Sequence, residues 1–262
     1  MPDSVLLDVS EGVATLTLNR PEGMNSLTLE TKVALNDAVA EVASDDRVRA
    51  LVLTGTGRAF CVGQDLREHA ELLAAGDPAP LSTVAKHYNP LVTALAAVRF
   101  PTVAAVNGTA AGAGLGLACA LDLRVGATGA RYTTAFTGIG LTADSGLSWS
   151  LPRIVGAGRA TALLLLAEPF TSEEAFAMGL LDRLVAPEEV LQTAQELAAR
   201  LASGPTEAYA CVKESLRFGA THSLVETLAK EDELQTRAGR TQDHAHAVQA
   251  FLAKEKPSFV GR

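Results

Sequence analysis

The amino-acid sequence predicts a mixed α/β fold in which repeated strand-strand-helix units are followed by an all-helical C-terminal region. Two strand patterns precede the first helical pattern, and the later order is not the strict strand-helix alternation of a doubly wound fold. Beyond residue 185, helical patterns dominate. The 262 residues can bury a substantial core, and no proline- or serine-rich linker divides them, so we expect one main domain with a helical appendage.

Strand and helix patterns fill the N-terminal half of the chain. Short apolar runs predict strands, and apolar residues at helical spacing, such as Leu29, Val33 and Leu35, predict helices. Strands are predicted over residues 5–9, 13–18, 50–54, 102–106 and 123–127, and helices over 28–43, 66–74 and 82–98. The glycine- and proline-bearing segment 76–80 is predicted to be mobile.

The C-terminal half is predicted to be largely helical. Glycines punctuate residues 138–158, where the spacing of apolar residues still indicates helices. Helices are predicted over 146–155, 157–167, 188–202, 206–218, 223–239 and 243–254.

Composition argues against several classes of function. The chain has 22 Lys and Arg against 30 Asp and Glu, a net charge of −8, which argues against nucleic acid or an anionic membrane as the main partner. The three cysteines lack C-x-x-C spacing, so neither a disulfide framework nor a zinc site is indicated. Residues 1–10 are too short and too acidic for a signal peptide, and the apolar runs fall short of a membrane span. We therefore expect a cytoplasmic protein without a metal site.

The segment 107–123, NGTAAGAGLGLACALDL, is the most informative part of the sequence. A predicted strand leads into a turn at Asn107 and Gly108, and the glycine- and alanine-rich residues that follow can open a helix with bare amide groups. Such a helix N-terminus can hold the negative oxygen that develops when a thioester carbonyl becomes an enolate. Close helix packing through small residues is the alternative interpretation.

A second glycine-bearing turn, RAFCVGQDL at 58–66, also runs from a strand toward a helix, so two sets of amides can converge on one oxygen. With both turns present, the chain resembles the crotonase family, also called the enoyl-CoA hydratase/isomerase superfamily. The resemblance covers nearly the whole length of the chain. It rests on NRP at 19–21 with NSL at 25–27, AFC at 59–61 with GQDL at 63–66, residues 101–122, LPRIVG at 151–156, and Ala175 with GLL at 179–181.

The resemblance implies a crotonase-like ββα spiral core, over residues 1–195, that binds acyl groups carried on coenzyme A. It implies a C-terminal helical region, residues 196–262, that mediates homotrimers or dimers of trimers. The backbone N–H groups of Gln64 and Ala113 would be the two oxyanion donors. No cofactor is implied besides the coenzyme A that forms part of the substrate.

The resemblance also implies which residues meet the substrate. Arg67 and Lys256 are candidates for contacts to the phosphates of coenzyme A, with surface solvation as the alternative. Asp65 is expected to hold its loop rather than transfer protons, and Cys61 lacks an obvious base and is expected to pack. The substrate-binding set comprises Met24, Cys61, Gly63, Asp65, Leu66, Arg67, Gly112, Phe136 and Lys256.

Two positions depart from the pattern of the hydratases in this family. Hydratases use two glutamates to add water across an enoyl double bond, and the corresponding positions here read Gly116 and Phe136. Neither residue can take a proton from water or protonate the adjacent carbon. Hydration by the two-glutamate route is therefore not expected.

A different carboxylate, Asp144, lies in the sequence GLTADSG at 140–146, just before a predicted helix. This turn is similar to that of the isomerases that convert ring-epoxidised phenylacetyl-CoA, and the resemblance implies a catalytic aspartate at this position. Chlorobenzoyl-CoA dehalogenase, which uses an aspartate here as a nucleophile, is a related possibility. The alternative role for Asp144 is a helix N-cap. Apolar neighbours such as Phe136 and Trp149 are expected to raise its pKa.

Taken together, the sequence predicts an acyl-CoA isomerase that polarises a thioester with the Gln64 and Ala113 amides and moves a proton with Asp144. An enoyl-CoA hydratase is the first alternative, and a non-catalytic acyl-CoA-binding protein is the second. The five histidines are interpreted as surface or packing residues, although His87, with Tyr88, could line the acyl pocket.

Overall fold

The computed structural model describes residues 3–262, and its architecture confirms the predicted mixed α/β class. The strands, numbered in chain order, are β1 (Val5–Ser10), β2 (Val13–Leu18), β3 (Ala50–Gly55), β4 (Ala59–Cys61), β5 (Thr102–Val106), β6 (Thr109–Ala111), β7 (Leu123–Ala127), β8 (Arg131–Thr133), β9 (Phe170–Thr171) and β10 (Arg183–Val185). They form a larger sheet in the order β1-β2-β3-β5-β7-β10 and a smaller sheet in the order β4-β6-β8-β9.

The larger sheet contributes its central strands to the core. Its edge strand β1 runs antiparallel to β2, and the strands from β2 to β10 are parallel neighbours. Every residue of β3 and β5 is buried, which agrees with their largely apolar sequences, and the helix at Val190–Ala202 packs against both strands. All five strands predicted from sequence belong to this sheet.

The smaller sheet was not predicted from the sequence. Its strands have only two or three residues each, too few for an alternating or apolar run to be recognised. Within it, β4 pairs in parallel with β6, and β6 pairs in parallel with β8. The carboxyl ends of β4 and β6 therefore lie at one edge, and both glycine-bearing turns follow these strands.

Helices cover the sheets and form the C-terminal region. They are α1 (Leu29–Ser44), α2 (Leu66–Ala74), α3 (Asn89–Ala97), α4 (Ala113–Ala120), α5 (Leu147–Val155), α6 (Ala157–Leu166), α7 (Ser172–Ala177), α8 (Val190–Ala202), α9 (Thr206–Gly219), α10 (Leu224–Gly239) and α11 (Gln242–Ala253). None of the helices within residues 3–262 combines the length and the apolar character that crossing a membrane requires.

The helix predicted over 82–98 differs from the structure at its start. Residues Val84–Tyr88 form a π-helical turn, in which the N–H of Asn89 donates to the carbonyl of Val84, before α3 continues. Pro90 explains the change, because it has no N–H and its ring crowds the carbonyl four residues earlier. The wider turn places Thr83 and Tyr88 against the candidate site.

The C-terminal helices divide into two sets. Helix α8 buries Ala194, Ala198 and Ala202 against the larger sheet, whereas α9 and α10 pack on each other. The predicted boundary between residues 195 and 196 lies inside α8. Large apolar side chains on α9 to α11, such as Leu216 and Phe251, are exposed in the single chain. Trimer formation through this region stays a prediction.

Candidate active site

Two turns with left-handed glycines meet at the carboxyl edge of the smaller sheet. Gly63, two residues after β4, has φ +84°, and Gly112, directly after β6, has φ +52°. A Cβ added to Gly63 would lie 3.0 Å from the carbonyl oxygen of Ala111 and 3.1 Å from the nitrogen of Ala113. Only glycine lets the two turns approach this closely.

The amide groups beside these glycines are free to bind a ligand. The N–H of Leu27 donates to the Gly63 carbonyl (2.8 Å), and the N–H of Asp65 donates to the Leu27 carbonyl (3.2 Å). In this parallel bridge the N–H of Gln64 therefore points away from Leu27. Ala113 is the first residue of α4, so its N–H has no acceptor within the helix. Neither N–H donates a hydrogen bond to any other described residue.

The small residues of α4 have a second, separate use. A Cβ on Gly114 would lie 2.1 Å from the carbonyl oxygen of Cys61, so the helix packs directly on the end of β4. The two interpretations of segment 107–123 thus apply to different residues: Gly114 permits close packing, while Gly112 and Ala113 present the amide edge.

An apolar cavity opens over both amides. Its lining consists of Val62, Gly63, Gln64, Leu66, His69, Leu81, Thr83, Val84, Tyr88, Gly112, Ala113, Ala135, Phe136, Ile139, Leu141 and Asp144. Asp144 is the one carboxylate among these residues. The cavity therefore combines two amide donors, one carboxylate, the His69 imidazole and mainly apolar walls, which is the composition expected of a small-molecule site.

The Asp144 side chain is half-buried and does not cap helix α5. Its Oδ1 accepts a hydrogen bond from the Ser145 hydroxyl (2.8 Å), whereas the N-cap of α5 is Gly146, with no side-chain cap. Only the backbone carbonyl of Asp144 bonds to the helix, through the N–H of Leu147 (3.0 Å). Burial raises the pKa of the Asp144 carboxyl, against a smaller lowering by the Ser145 hydroxyl. A carboxylate with a raised pKa is a stronger base.

The turn that carries Asp144 occupies the space beside Gly116. A Cβ on Gly116 would lie 2.8 Å from the Cβ of Ser145 and 3.0 Å from its carbonyl oxygen. Ser145 itself has φ +52°, in the left-handed region. Phe136, at the other position where hydratases have glutamate, is buried and lines the cavity. Neither position supplies a carboxylate.

Asp65 holds the first turn in place, in agreement with the sequence interpretation. Its Oδ1 accepts from the N–H groups of Arg67 (3.0 Å) and Glu68 (3.4 Å), and caps α2. Its Oδ2 accepts from the Ser26 hydroxyl (2.8 Å) and the Arg20 guanidinium (3.3 Å). Burial opposes ionisation, but these four hydrogen bonds outweigh it and hold the pKa of Asp65 below its usual range.

Several predicted substrate-binding residues lie outside the cavity. Cys61 is buried behind the first turn, where burial raises the pKa of its thiol to about 12. Lys256 lines a different cavity beside Arg49 and Arg200. Met24, Asp65 and Arg67 also do not line the cavity over the two amides, whereas Gly63, Leu66, Gly112 and Phe136 do. Contacts of Arg67 and Lys256 with coenzyme A stay predictions. No cluster of residues within 3–262 could hold a metal ion.

Two polar residues at the site were not predicted from the sequence. His69 lines the cavity, and its ring makes no hydrogen bond to a described residue. Lys32 on α1 donates to the side chain of Gln64. The sequence contains a sign of this buried lysine, because Lys32 lies on the same helix face as Leu35 and Val39 and interrupts an apolar stripe.

The whole chain matches known proteins of one family. A family model described as enoyl-CoA hydratase/isomerase matches residues 8–262. The chain is 40% identical over 262 residues to the 1,2-epoxyphenylacetyl-CoA isomerase of Escherichia coli (strain K12), covering 100% of both proteins. It is 32% identical to a crotonyl-CoA hydratase of Syntrophomonas wolfei, covering 99% of both. A crystal structure described as an enoyl-CoA hydratase/isomerase from Mycobacterium abscessus superimposes with a TM-score of 0.96 at 46% identity, covering 98% of this chain and 100% of that one.

Proposed function

The chain belongs to the enoyl-CoA hydratase/isomerase family, and from that premise we propose that it is an acyl-CoA isomerase. In this proposal Gln64 and Ala113 bind the thioester oxygen through their N–H groups, and Asp144 moves the proton. The observation that carries the proposal is the cavity with one carboxylate, since Gly116 and Phe136 supply none. One carboxylate can move a proton between two carbons, whereas the two-glutamate route of hydration needs one carboxylate for water and another for carbon.

The proposed reaction balances with these groups alone. Asp144 removes a proton from the α-carbon of the acyl thioester, and the electron pair of that C–H bond passes to the carbonyl oxygen to form an enolate. The two N–H groups stabilise the oxyanion, and each donor of this kind is typically worth about 100- to 1,000-fold in rate. The protonated Asp144 then returns the proton at the γ-carbon, so the double bond moves and the carboxylate is regenerated. The reaction needs no cofactor beyond the coenzyme A of the substrate.

Three observations bear on the acyl group and on the alternatives. The cavity walls include Val84, Ile139 and Leu141, which suit an apolar acyl chain or ring. The Escherichia coli relative acts on a ring-epoxidised phenylacetyl thioester by its name, which favours the aromatic class. Hydratase names among the relatives keep an enoyl-CoA hydratase as the alternative. A non-catalytic acyl-CoA-binding protein is the second alternative.

The test compares substrates and then removes the base. The protein is incubated with a 3-enoyl-CoA, with crotonyl-CoA and with ring-epoxidised phenylacetyl-CoA, and products are separated by chromatography. We expect isomerisation of the first or third thioester and no fast hydration of the second. Asp144→Asn is expected to abolish turnover while binding is retained, and the exposed Asp46→Asn is the matched control. Fast hydration of crotonyl-CoA, or full turnover by Asp144→Asn, would overturn the proposal.

A further inference from the structure

A buried lysine donates to the side chain of Gln64, the residue that carries one of the two candidate oxyanion donors. The Lys32 side chain comes from α1, and the residue is 2% exposed. Its Nζ donates to the Thr83 hydroxyl (2.8 Å) and to the Gln64 side-chain oxygen (3.1 Å), and lies 5.5 Å from the centre of the Tyr88 ring. No carboxylate of the described residues lies within ion-pair distance of it. Lys32 is thus a buried cation without a paired anion.

The fold gains little from this charge. Burial lowers the pKa of Lys32, and the more distant carboxylates of Glu68 and Asp65 oppose that lowering only in part. A buried cation without a partner costs stability. Its hydrogen-bond partners do not depend on it: Gln64 also accepts from the Tyr88 hydroxyl, and the Thr83 hydroxyl also bonds to His87. An apolar side chain of the same length would leave each partner with one hydrogen bond.

The position of the charge suggests a use in catalysis. Lys32 contacts the side chain of Gln64, the residue whose backbone N–H faces the cavity. We infer that the Lys32 ammonium stabilises the thioester enolate electrostatically from behind the Gln64 turn. This inference rests on the proposed function, in which the enolate is the intermediate. In this inference Lys32 does not touch the substrate and is a positioning residue: it donates to the Gln64 side chain and places a positive charge near the site where negative charge develops.

The direct test measures enolate stabilisation without turnover. Acetoacetyl-CoA is bound to the protein, and its enolate is followed by near-ultraviolet absorbance as the pH is raised. Lys32→Met removes the charge at nearly constant volume, and Lys32→Gln removes the charge but retains a hydrogen-bond donor. For both variants we expect the bound thioester to ionise about one pH unit higher than in the wild type, and kcat for the isomerase substrate to fall about 10- to 100-fold with little change in KM.

The controls separate charge from structure. Lys86→Met removes an exposed lysine on the neighbouring π-helical turn and is expected to leave both readouts unchanged. Urea unfolding of Lys32→Met is expected to give a stability equal to or higher than that of the wild type, because the unpaired charge is gone. A less stable Lys32→Met, or wild-type ionisation of acetoacetyl-CoA in Lys32→Gln, would overturn the inference.

A failure of the inference can be distinguished from a failure of the proposed function. If the wild type lowers the ionisation pH of acetoacetyl-CoA and the variants do not, but no thioester is isomerised, the role of Lys32 stands and the proposed function fails. If the wild type isomerises its substrate and both Lys32 variants match it in both readouts, the inference about Lys32 fails alone.

Discussion

Replacing Gly116 by alanine tests whether the Asp144 turn depends on a missing side chain. The added Cβ would lie 2.8 Å from the Cβ of Ser145, about 0.7 Å closer than an ordinary carbon–carbon contact, and 3.0 Å from the Ser145 carbonyl oxygen. The neighbour is turn backbone held at φ +52°, not the end of a flexible side chain. Overpacking of this kind costs about 1–3 kcal/mol, while alanine in a helix returns about 0.5–1 kcal/mol.

A matched substitution isolates the overpacking. Gly158 lies in α6 with nothing within 4 Å of an added Cβ. Gly158→Ala therefore gains only the stabilisation from the higher helix propensity of alanine. Urea unfolding of both variants is expected to differ by about 1–3 kcal/mol in favour of Gly158→Ala. Because the clash displaces the Asp144 turn, kcat of Gly116→Ala is also expected to fall about 10- to 100-fold. The reasoning is refuted if Gly116→Ala is as stable as Gly158→Ala and fully active.

Three further substitutions have expected outcomes. Burial raises the pKa of Asp144, so the ionised carboxylate destabilises the folded state above that pKa. Asp144→Asn should therefore be more stable than the wild type at pH 7 in urea unfolding. This gain in stability should disappear below about pH 4, where the carboxyl is protonated in both the folded and the unfolded state. The pKa of Asp65 is lowered, so its contribution is present above about pH 4 and lost as the pH falls further. Asp65→Ala should therefore cost about 1–3 kcal/mol at pH 7, and less in acid, by the same assay. Gly63→Ala, with φ +84° and a Cβ 3.1 Å from the Ala113 nitrogen, should lower kcat about 100-fold or more in the isomerase assay; wild-type rates would exclude a role for this close approach.

The larger sheet could be predicted from the sequence because each of its first five strands has at least five residues, most of them apolar. The smaller sheet could not, since strands such as β9, with two residues, exist only through pairing with neighbours distant in sequence. The π-helical turn before α3 has a local cause in Pro90, but the sequence pattern predicts only a helix there.

Some residues of the candidate site could likewise be predicted from local sequence motifs, and others could not. The two turns were recognised because Gly63 and Gly112 belong to local motifs, and Asp144 because of the GLTADSG turn. Lys32 comes to the site through tertiary packing, since it donates to Thr83, which is 51 residues away along the chain. No local spacing records that contact, although a lysine on a buried helix face was a usable signal.

Gly116 and Asp144 belong to one packing arrangement, in which α4 contacts the turn at residues 144–146. Gly116 has no Cβ, and the Ser145 backbone lies within 3.0 Å of where a Cβ would be. Any larger side chain at 116 must therefore displace the turn from which Asp144 reaches the cavity. In this backbone the Cβ of any residue at 116 would overlap Ser145, the neighbour of Asp144. A glutamate at 116 is therefore expected to displace the 144–146 turn and, under the proposed function, to disturb the one carboxylate of the cavity.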